Sequence, residues 1–398
     1  MSKLKRREVD VLFVDVLPFR HSTRTRKMAL ALASNDPSLS VAAFTLQRVG
    51  RVGISDVRER YEEAGVSVEQ VPVPAPREGA GVAATAINLG YVYPVGLGRL
   101  AREVLTTDAP RLIIGSTSLT WLALLHHRRF GSRVVVNARE RFAGIRTKGS
   151  LGTLVSRLEP LMTSVLAKPW VVVTSVCESH AREFREVGAR EVVVIRNAPL
   201  LAFIPSHFAP TPNDKPFTVA LVGSLYPGRG IEALIEAAGA LKRQGLEVRV
   251  EITGRASAEY AQSLVTLAAA EDVTDLVRFL GPCTPDEVPD RYAAAHLGTA
   301  LYEGVDSAND SLSNKIFECV ASGRAVLAGN LSENVALVSR YKIGWTAEVT
   351  SVGLSHTLRE LMEQNPDFDA LGQHCLETAR EILNWETEVQ PLFTALER

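Results

Sequence analysis

At 398 residues, with 46% apolar and 22% charged side chains, the chain has the make-up of an ordinary globular protein and the length of two domains, which excludes disordered and fibrous classes. A formal net charge of -1, with no basic run interleaved with aromatics, removes nucleic acid as a partner. The four cysteines, Cys177, Cys283, Cys319 and Cys375, never form a C-x-x-C pair, so they read as small core residues in a reducing compartment and not as disulfides or a zinc site.

The N-terminus carries Lys3, Lys5, Arg6 and Arg7, but Asp10 and Asp15 interrupt the apolar run behind them too early for a signal segment. No window reaches about 18 uninterrupted apolar residues, so no membrane-crossing helix is expected and the chain reads as cytoplasmic. Residues 9–16 (VDVLFVDV), 111–115 (RLIIG), 133–136 (RVVV), 170–174 (WVVVT) and 191–195 (EVVVI) read as buried strands. Helical periodicity at 25–33, 98–105 and 151–167 alternates with them, which predicts a doubly wound parallel sheet. Residues 197–217 hold five prolines and no sustained period, and read as a linker. A second alternating series follows, with strands at 217–222, 248–253, 277–280, 296–301 and 325–328 and helices at 231–243, 258–270 and 314–321. Residues 371–396 read as a closing helix kinked at Pro391. The expected organisation is therefore an N-terminal Rossmann-like domain over 1–200, a linker over 201–216, a C-terminal Rossmann-like domain over 217–380, and a terminal helix over 381–398 that crosses back to the first domain.

The most informative segment is DSLSNKIFECVASG, residues 310–323, a loop feeding a helix. Ser311 or Ser313 can cap that helix, whose free N–H groups and positive dipole end suit an anion such as a diphosphate. Lys315 adds a full charge, and Glu318, three residues on, can reach the hydroxyls of a ribose attached to that diphosphate. A capped core helix with a surface Lys–Glu pair is the alternative. The turn GSLYPGRG, residues 223–230, aims a second helix start at the same edge of the sheet, with Arg229 placed to clamp phosphate oxygens.

These segments resemble the retaining family 4, or group 1, glycosyltransferases of the GT-B fold. Asp310 and Glu318 stand in place of that family's Glu-x7-Glu pair, and GSLYPGRG is similar to its G-[RS]-L-x-x-x-[KR]-G turn, with Ser224 where Arg is usual. VRFLG at 277–281, SVCESHAREF, VIRNAPLL and NWE at 384–386 extend the likeness over nearly the whole chain. The resemblance implies two Rossmann-like domains facing across a cleft. It gives catalytic parts to Asp310, Arg229 and Lys315, with Glu318 on the ribose, Arg229 and Lys315 on the leaving diphosphate, and Asp310 on a sugar hydroxyl or the acceptor. Gly223, Ser224, Gly230, Gly254, Arg255, Pro282, Ser313 and Asn314 would complete the nucleotide-sugar site.

On the acceptor side, Arg20, His21, Arg24, Arg26 and Lys27 crowd the loop and helix after the first strand, which favours an anionic or lipid-linked hydroxyl acceptor or a membrane surface presenting one; a solvated helix face is the alternative. In NARERF, residues 137–142, the histidine that relatives often place near the reaction centre is absent. Arg139 and Glu140 stand there, as substitutes or as a structural strand-end pair. GLGRLA at 96–101 matches G-x-G-x-x-A but follows Pro94 with no acid at the right distance. Asp367 and Asp369 imitate a metal-binding D-x-D yet precede a helix, where capping accounts for them, and no histidine spacing suggests a metal. The reading is a retaining transferase moving a hexose-type sugar from a nucleoside diphosphate to a hydroxyl, with no cofactor or metal. A nucleotide-sugar 2-epimerase and a non-catalytic subunit of the same fold are the alternatives.

Overall fold

The computed structural model describes residues 7–49, 59–74, 93–138, 160–212, 216–302 and 312–397, and divides into two compact units, residues 1–195 with 389–398 and residues 196–388. In the first unit, β1 (Val11–Asp15) is followed by α1 (Thr23–Asn35), β2 (Val41–Val49), β3 (Glu59–Glu63), β4 (Val66–Pro74), α2 (Tyr93–Thr106) and β5 (Arg111–Ile114). Then come α3 (Thr120–Phe130), β6 (Arg133–Asn137), β7 (Val171–Ser175), α4 (Glu178–Glu186) and β8 (Glu191–Val194). The strands form one sheet in the order β8-β7-β6-β5-β1-β2-β4-β3. β1 and β7 are buried at every position, as expected of parallel strands covered on both faces.

Asp15, at the end of β1, turns its carboxylate into the following loop, accepting from Ser22 Oγ at 2.5 Å, Thr25 Oγ1 at 2.6 Å and the Leu17 amide at 3.2 Å. A Cβ on Gly115, after β5, would stand 2.2 Å from that carboxylate, so only glycine fits beside it. The sheet is not wholly parallel: β3 pairs antiparallel with β4 across a two-residue turn in which Ala64 (φ 46°) and Gly65 (φ 80°) are both left-handed. β3 (ERYEE) is polar and half-exposed, so it lacks the apolar run that marks the inner strands. Of the predicted helix at 151–167, residues 160–166 are helical and 151–159 lie outside the described residues.

In the second unit, β9 (Thr218–Val222), α5 (Ile231–Lys242), β10 (Arg249–Thr253), α6 (Ala258–Ala270), β11 (Val277–Gly281) and α7 (Val288–Ala293) lead to β12 (Leu297–Ala300). α8 (Asn314–Ala321), β13 (Ala325–Gly329), α9 (Ser332–Tyr341), β14 (Gly344–Ala347), α10 (Ser351–Gln364) and α11 (Phe368–Glu381) complete it. The sheet order β11-β10-β9-β12-β13-β14 is parallel throughout, and the direction of winding reverses between β9 and β12. In open parallel sheets ligands bind outside the carboxyl ends of the strands at such a switch point.

The proline-rich stretch is not a free tether. The buried Arg324 guanidinium donates to the carbonyls of Ala209 (2.8 Å), Pro210 (3.1 Å), Ala293 (2.6 Å) and Ala295 (2.8 Å), while Asp369 accepts from the Thr211 amide at 2.7 Å. Arg380 holds the carbonyl of Pro205 at 3.0 Å. An irregular segment makes few hydrogen bonds of its own, and here arginines satisfy its carbonyls, docking it on the second unit from Arg196 onward. The closing helix is likewise broken. After α11, Asn384 caps the short α12 (Trp385–Glu388) by accepting from the Thr387 amide at 2.9 Å, and α13 (Gln390–Glu397) starts anew with Pro391 in its first turn, where proline is tolerated. Residues 389–398 belong to the first unit, where α13 packs on β8 and Arg111 Nε reaches the Leu396 carbonyl at 3.3 Å. Residues 381–388 belong to the second.

Candidate functional site

The loops after β9, β10 and β11 are joined edge to edge. The Gly223 amide donates to the Thr253 carbonyl, the Leu225 amide to Arg255 and the Gly254 amide to Gly281, each at 2.9 Å. A Cβ on Gly254 would lie 1.8 Å from the Gly223 carbonyl oxygen, so the strands can close this far only with glycine there. Above them opens a cavity of about 410 Å³, lined by Gly223, Ser224, Thr253, Gly254, Arg255, Pro282, Cys283 and Val288, with Glu318 of α8 at its wall.

α8 starts beside this cavity. Ser313 occupies the N-cap position, but its hydroxyl makes no capping bond and is buried with no hydrogen-bond partner among the described residues; of the two serines expected as caps, Ser313 does not cap and Ser311 lies outside the described residues. The Ser313 amide is instead held by Asn334 Oδ1 at 3.2 Å. Asn314 is exposed at the first helical position. Lys315 follows, and its side chain crosses the backbone of Gly223 so closely that a Cβ there would meet Lys315 Cε at 2.9 Å. The residue is 7% exposed, and its ammonium is buried with no hydrogen-bond partner among the described residues. Burial, reinforced by the charge of Arg229 and opposed by Glu318, pulls it down to about 8.

Arg229 enters from the turn before α5. Its guanidinium lies 4.1 Å from the ring centroid of Tyr226 and 4.1 Å from that of Tyr302, its Nε is buried with no partner among the described residues, and burial lowers its pKa. Gly230 takes a left-handed conformation (φ 66°) as N-cap of α5, and a Cβ there would stand 2.7 Å from Leu301 Cβ. The site thus gathers a buried lysine, an arginine and a helix N-terminus, with no carboxylate paired to either cation among the described residues. A helix start so furnished binds anions, and the adjoining cavity is of a size for a nucleoside.

Of the residues expected here, Gly223, Ser224, Gly254, Arg255, Pro282 and Glu318 share the cavity, and Arg229, Gly230, Ser313, Asn314 and Lys315 flank it. Asp310 and Ser311 lie outside the described residues, as do Arg139 and Glu140. The sequence reading missed Tyr226, Tyr302 and Cys283. Tyr226 stands three residues before Arg229 in one turn, which could have suggested a ring beside it, whereas nothing in the sequence links Tyr302 to Arg229. Cys177, Cys319 and Cys375 are core residues, but Cys283 is half-buried in the cavity wall, where burial pushes its thiol up.

The cations after β1 do not form one anion surface. Arg24 is 4% exposed and donates from Nε to Asn137 Oδ1 at 2.8 Å, and Arg26 is ion-paired with Glu63. Arg20 lies over the Tyr61 ring at 5.0 Å. Antiparallel β3 supplies both Tyr61 and Glu63, so the hairpin absorbs charges that the sequence leaves looking free. GLGRLA lies inside α2, which removes it as a dinucleotide turn. Asp367 caps α11 by accepting from the Ala370 amide at 2.9 Å. Among the described residues no three His, Cys, Asp or Glu side chains are grouped to hold a metal, and no helix is long and apolar enough to cross a membrane.

Residues 216–364 match the family described as glycosyl transferases group 1. D-inositol 3-phosphate glycosyltransferase of Salinispora tropica is 30% identical over 209 residues, which cover 50% of this chain and 39% of that protein. The chain therefore matches well under two thirds of that relative's length. Among solved structures, sucrose-phosphate synthase from Thermosynechococcus elongatus superposes with a TM-score of 0.67 at 13% identity, covering 98% of each chain. HepE of Anabaena, solved with UDP and glucose, gives a TM-score of 0.66 at 14% identity over 98% of this chain and 99% of that one. These likenesses establish the fold as that of the GT-B glycosyltransferases.

Proposed function

We propose, for a chain whose residues 216–364 belong to the group 1 glycosyl transferases and whose fold is GT-B, that it is a retaining glycosyltransferase using a nucleoside-diphosphate sugar. The observation that carries this reading is the convergence of Lys315 and Arg229, unpaired with any carboxylate among the described residues, on the N-terminus of α8 beside a nucleoside-sized cavity. Two like charges brought together and partly desolvated oppose each other, and a bound diphosphate relieves both burial and repulsion. Glu318, at the cavity wall one turn further along α8, takes the ribose hydroxyls.

The chemistry asks for no enzyme nucleophile. The bond from the anomeric carbon to the diphosphate oxygen breaks with its electrons leaving on the diphosphate, where Lys315, Arg229 and the helix end stabilise the growing charge. The acceptor oxygen attacks from the same face and forms the new glycosidic bond, and its proton passes to the departing phosphate oxygen. The positive charge already in place does the work that a divalent ion does elsewhere, so turnover is proposed to need none. The acceptor is a hydroxyl compound.

The test is incubation with UDP-, GDP-, ADP- and dTDP-hexoses while free sugar release is followed by NMR. A working site releases sugar slowly to water, with the anomer first formed matching the donor. No release from any of the four, from a protein that binds the corresponding diphosphate, would leave a non-catalytic subunit; release of the opposite anomer would exclude retention.

A further inference from the structure

Arg229 is held in an unusual way for a surface-loop cation. Arg243 of the same unit meets a carboxylate, Glu271 at 2.8 Å, and Arg324 donates to backbone carbonyls. Arg229 instead has its guanidinium carbon over two aromatic rings, Tyr226 and Tyr302, both at 4.1 Å from the ring centroid. The two rings come from different loops, after β9 and after β12, on the two sides of the switch point. Their approach depends on missing side chains. A Cβ on Gly230 would stand 2.7 Å from Leu301 Cβ and 2.6 Å from Val349, and one on Gly329 would stand 3.1 Å from the Tyr302 carbonyl oxygen. Two glycines therefore let the Tyr302 backbone come down beside Arg229.

We propose that Tyr226 and Tyr302 are positioning residues that clamp Arg229 so that its in-plane N–H edge points at the donor's diphosphate. The proposal rests on the transferase reading above. A guanidinium donates only in its plane, so packing its carbon over two rings costs no hydrogen bond and restricts the direction of those that remain. An unclamped arginine on a turn would spend side-chain entropy on closing over phosphate, and the clamp removes that cost before the ligand arrives. Tyr226 is 45% exposed, which is the position of a ring kept for its face and not for burial.

The experiment is calorimetric titration of inorganic pyrophosphate and of UDP into the wild-type chain and into Arg229→Ala, Tyr226→Leu, Tyr226→Phe, Tyr302→Leu and Tyr302→Phe, each first checked for cooperative thermal unfolding. Each Leu variant is expected to weaken both probes by about three- to fivefold, the scale of one stacked face, and each Phe variant, which keeps the face, by less than about twofold. Arg229→Ala should lose at least as much as the two Leu changes together. If Arg229→Ala weakens binding while both Leu variants bind like wild type, the clamp is wrong and the diphosphate site stands. Phe variants as weak as Leu would assign the effect to the hydroxyls and overturn the stacking argument. If wild type binds neither pyrophosphate nor any of UDP, GDP, ADP and dTDP, or Arg229→Ala binds both probes as tightly as wild type, the transferase reading fails and the clamp with it.

Discussion

Lys315 carries the sharpest prediction, because the same burial that readies it for an anion destabilises the empty protein. Its ammonium is held near 8 where a free lysine titrates at 10.5, a difference of about 3 kcal/mol against the charged form. Below about pH 8 the group is charged in the folded and unfolded chain alike, so the whole penalty is carried. Between about 8 and 10.5 the folded chain releases its proton first, and the stability contributed at this site rises with pH. Lys315→Met removes the charge and keeps an apolar stem over Gly223, so the ligand-free variant should be more stable at pH 7 by about 1–3 kcal/mol. That is a rise in Tm of several degrees for the unit spanning 196–388, at roughly 2–4 °C per kcal/mol for a unit of that size. Diphosphate binding should move the other way. Wild-type affinity for UDP is expected to be flat below about pH 8 and to fall by up to tenfold per pH unit above it, while Lys315→Met binds weakly at every pH. Arg229→Ala, by removing the second contributor after burial, should move the inflection upward. Thermal unfolding with and without UDP from pH 7 to 9.5 reads all three effects. A wild-type affinity constant across that range, or a Lys315→Met variant that binds UDP like wild type, would refute the reasoning.

Other expectations are as direct. Glu318→Ala should weaken UDP by about 1.5–3 kcal/mol and leave pyrophosphate unchanged, since only UDP has a ribose; equal losses for both probes would move Glu318 off the ribose. Activity in excess chelator should equal that in magnesium, and a loss restored by magnesium would assign the metal a part. Arg26→Ala, breaking a partly exposed pair with Glu63, should change stability by less than about 1 kcal/mol and leave the acceptor KM unchanged at low and high salt. Arg24→Ala removes a buried donor from Asn137 and should cost about 1–3 kcal/mol in denaturant unfolding; a raised acceptor KM in the Arg26 variant would return that residue to the acceptor site.

Much of this architecture can be read along the chain because parallel strands covered on both faces must be apolar throughout. VVVTS and AVLAG are buried at every residue and announce themselves. β3 does not, because an edge strand with one wet face can read ERYEE. The binding loops were legible where backbone demands glycine, at Gly223, Gly230 and Gly254, and where a helix begins with Lys315. What stayed hidden depends on contacts between distant segments. Arg26 finds Glu63 only through the β3–β4 hairpin, and Arg324 gathers carbonyls, which leave no mark in a sequence. The stack on Arg229 needs Tyr302, supplied from across the switch point. Cys283 looks like the other three cysteines until the loop after β11 turns it toward the cavity.

The central claim is that the second unit holds a nucleoside diphosphate on Lys315 and Arg229. The most direct measurement is calorimetric titration of UDP, GDP, ADP and dTDP at pH 7 into the wild-type chain and into Lys315→Met with Arg229→Ala. The account predicts that at least one of the four binds wild type and that the double variant, still folded, loses that affinity by a hundredfold or more, the scale of two charge-assisted contacts. Equal affinity in the two proteins, or no binding of any of the four to wild type, would contradict it.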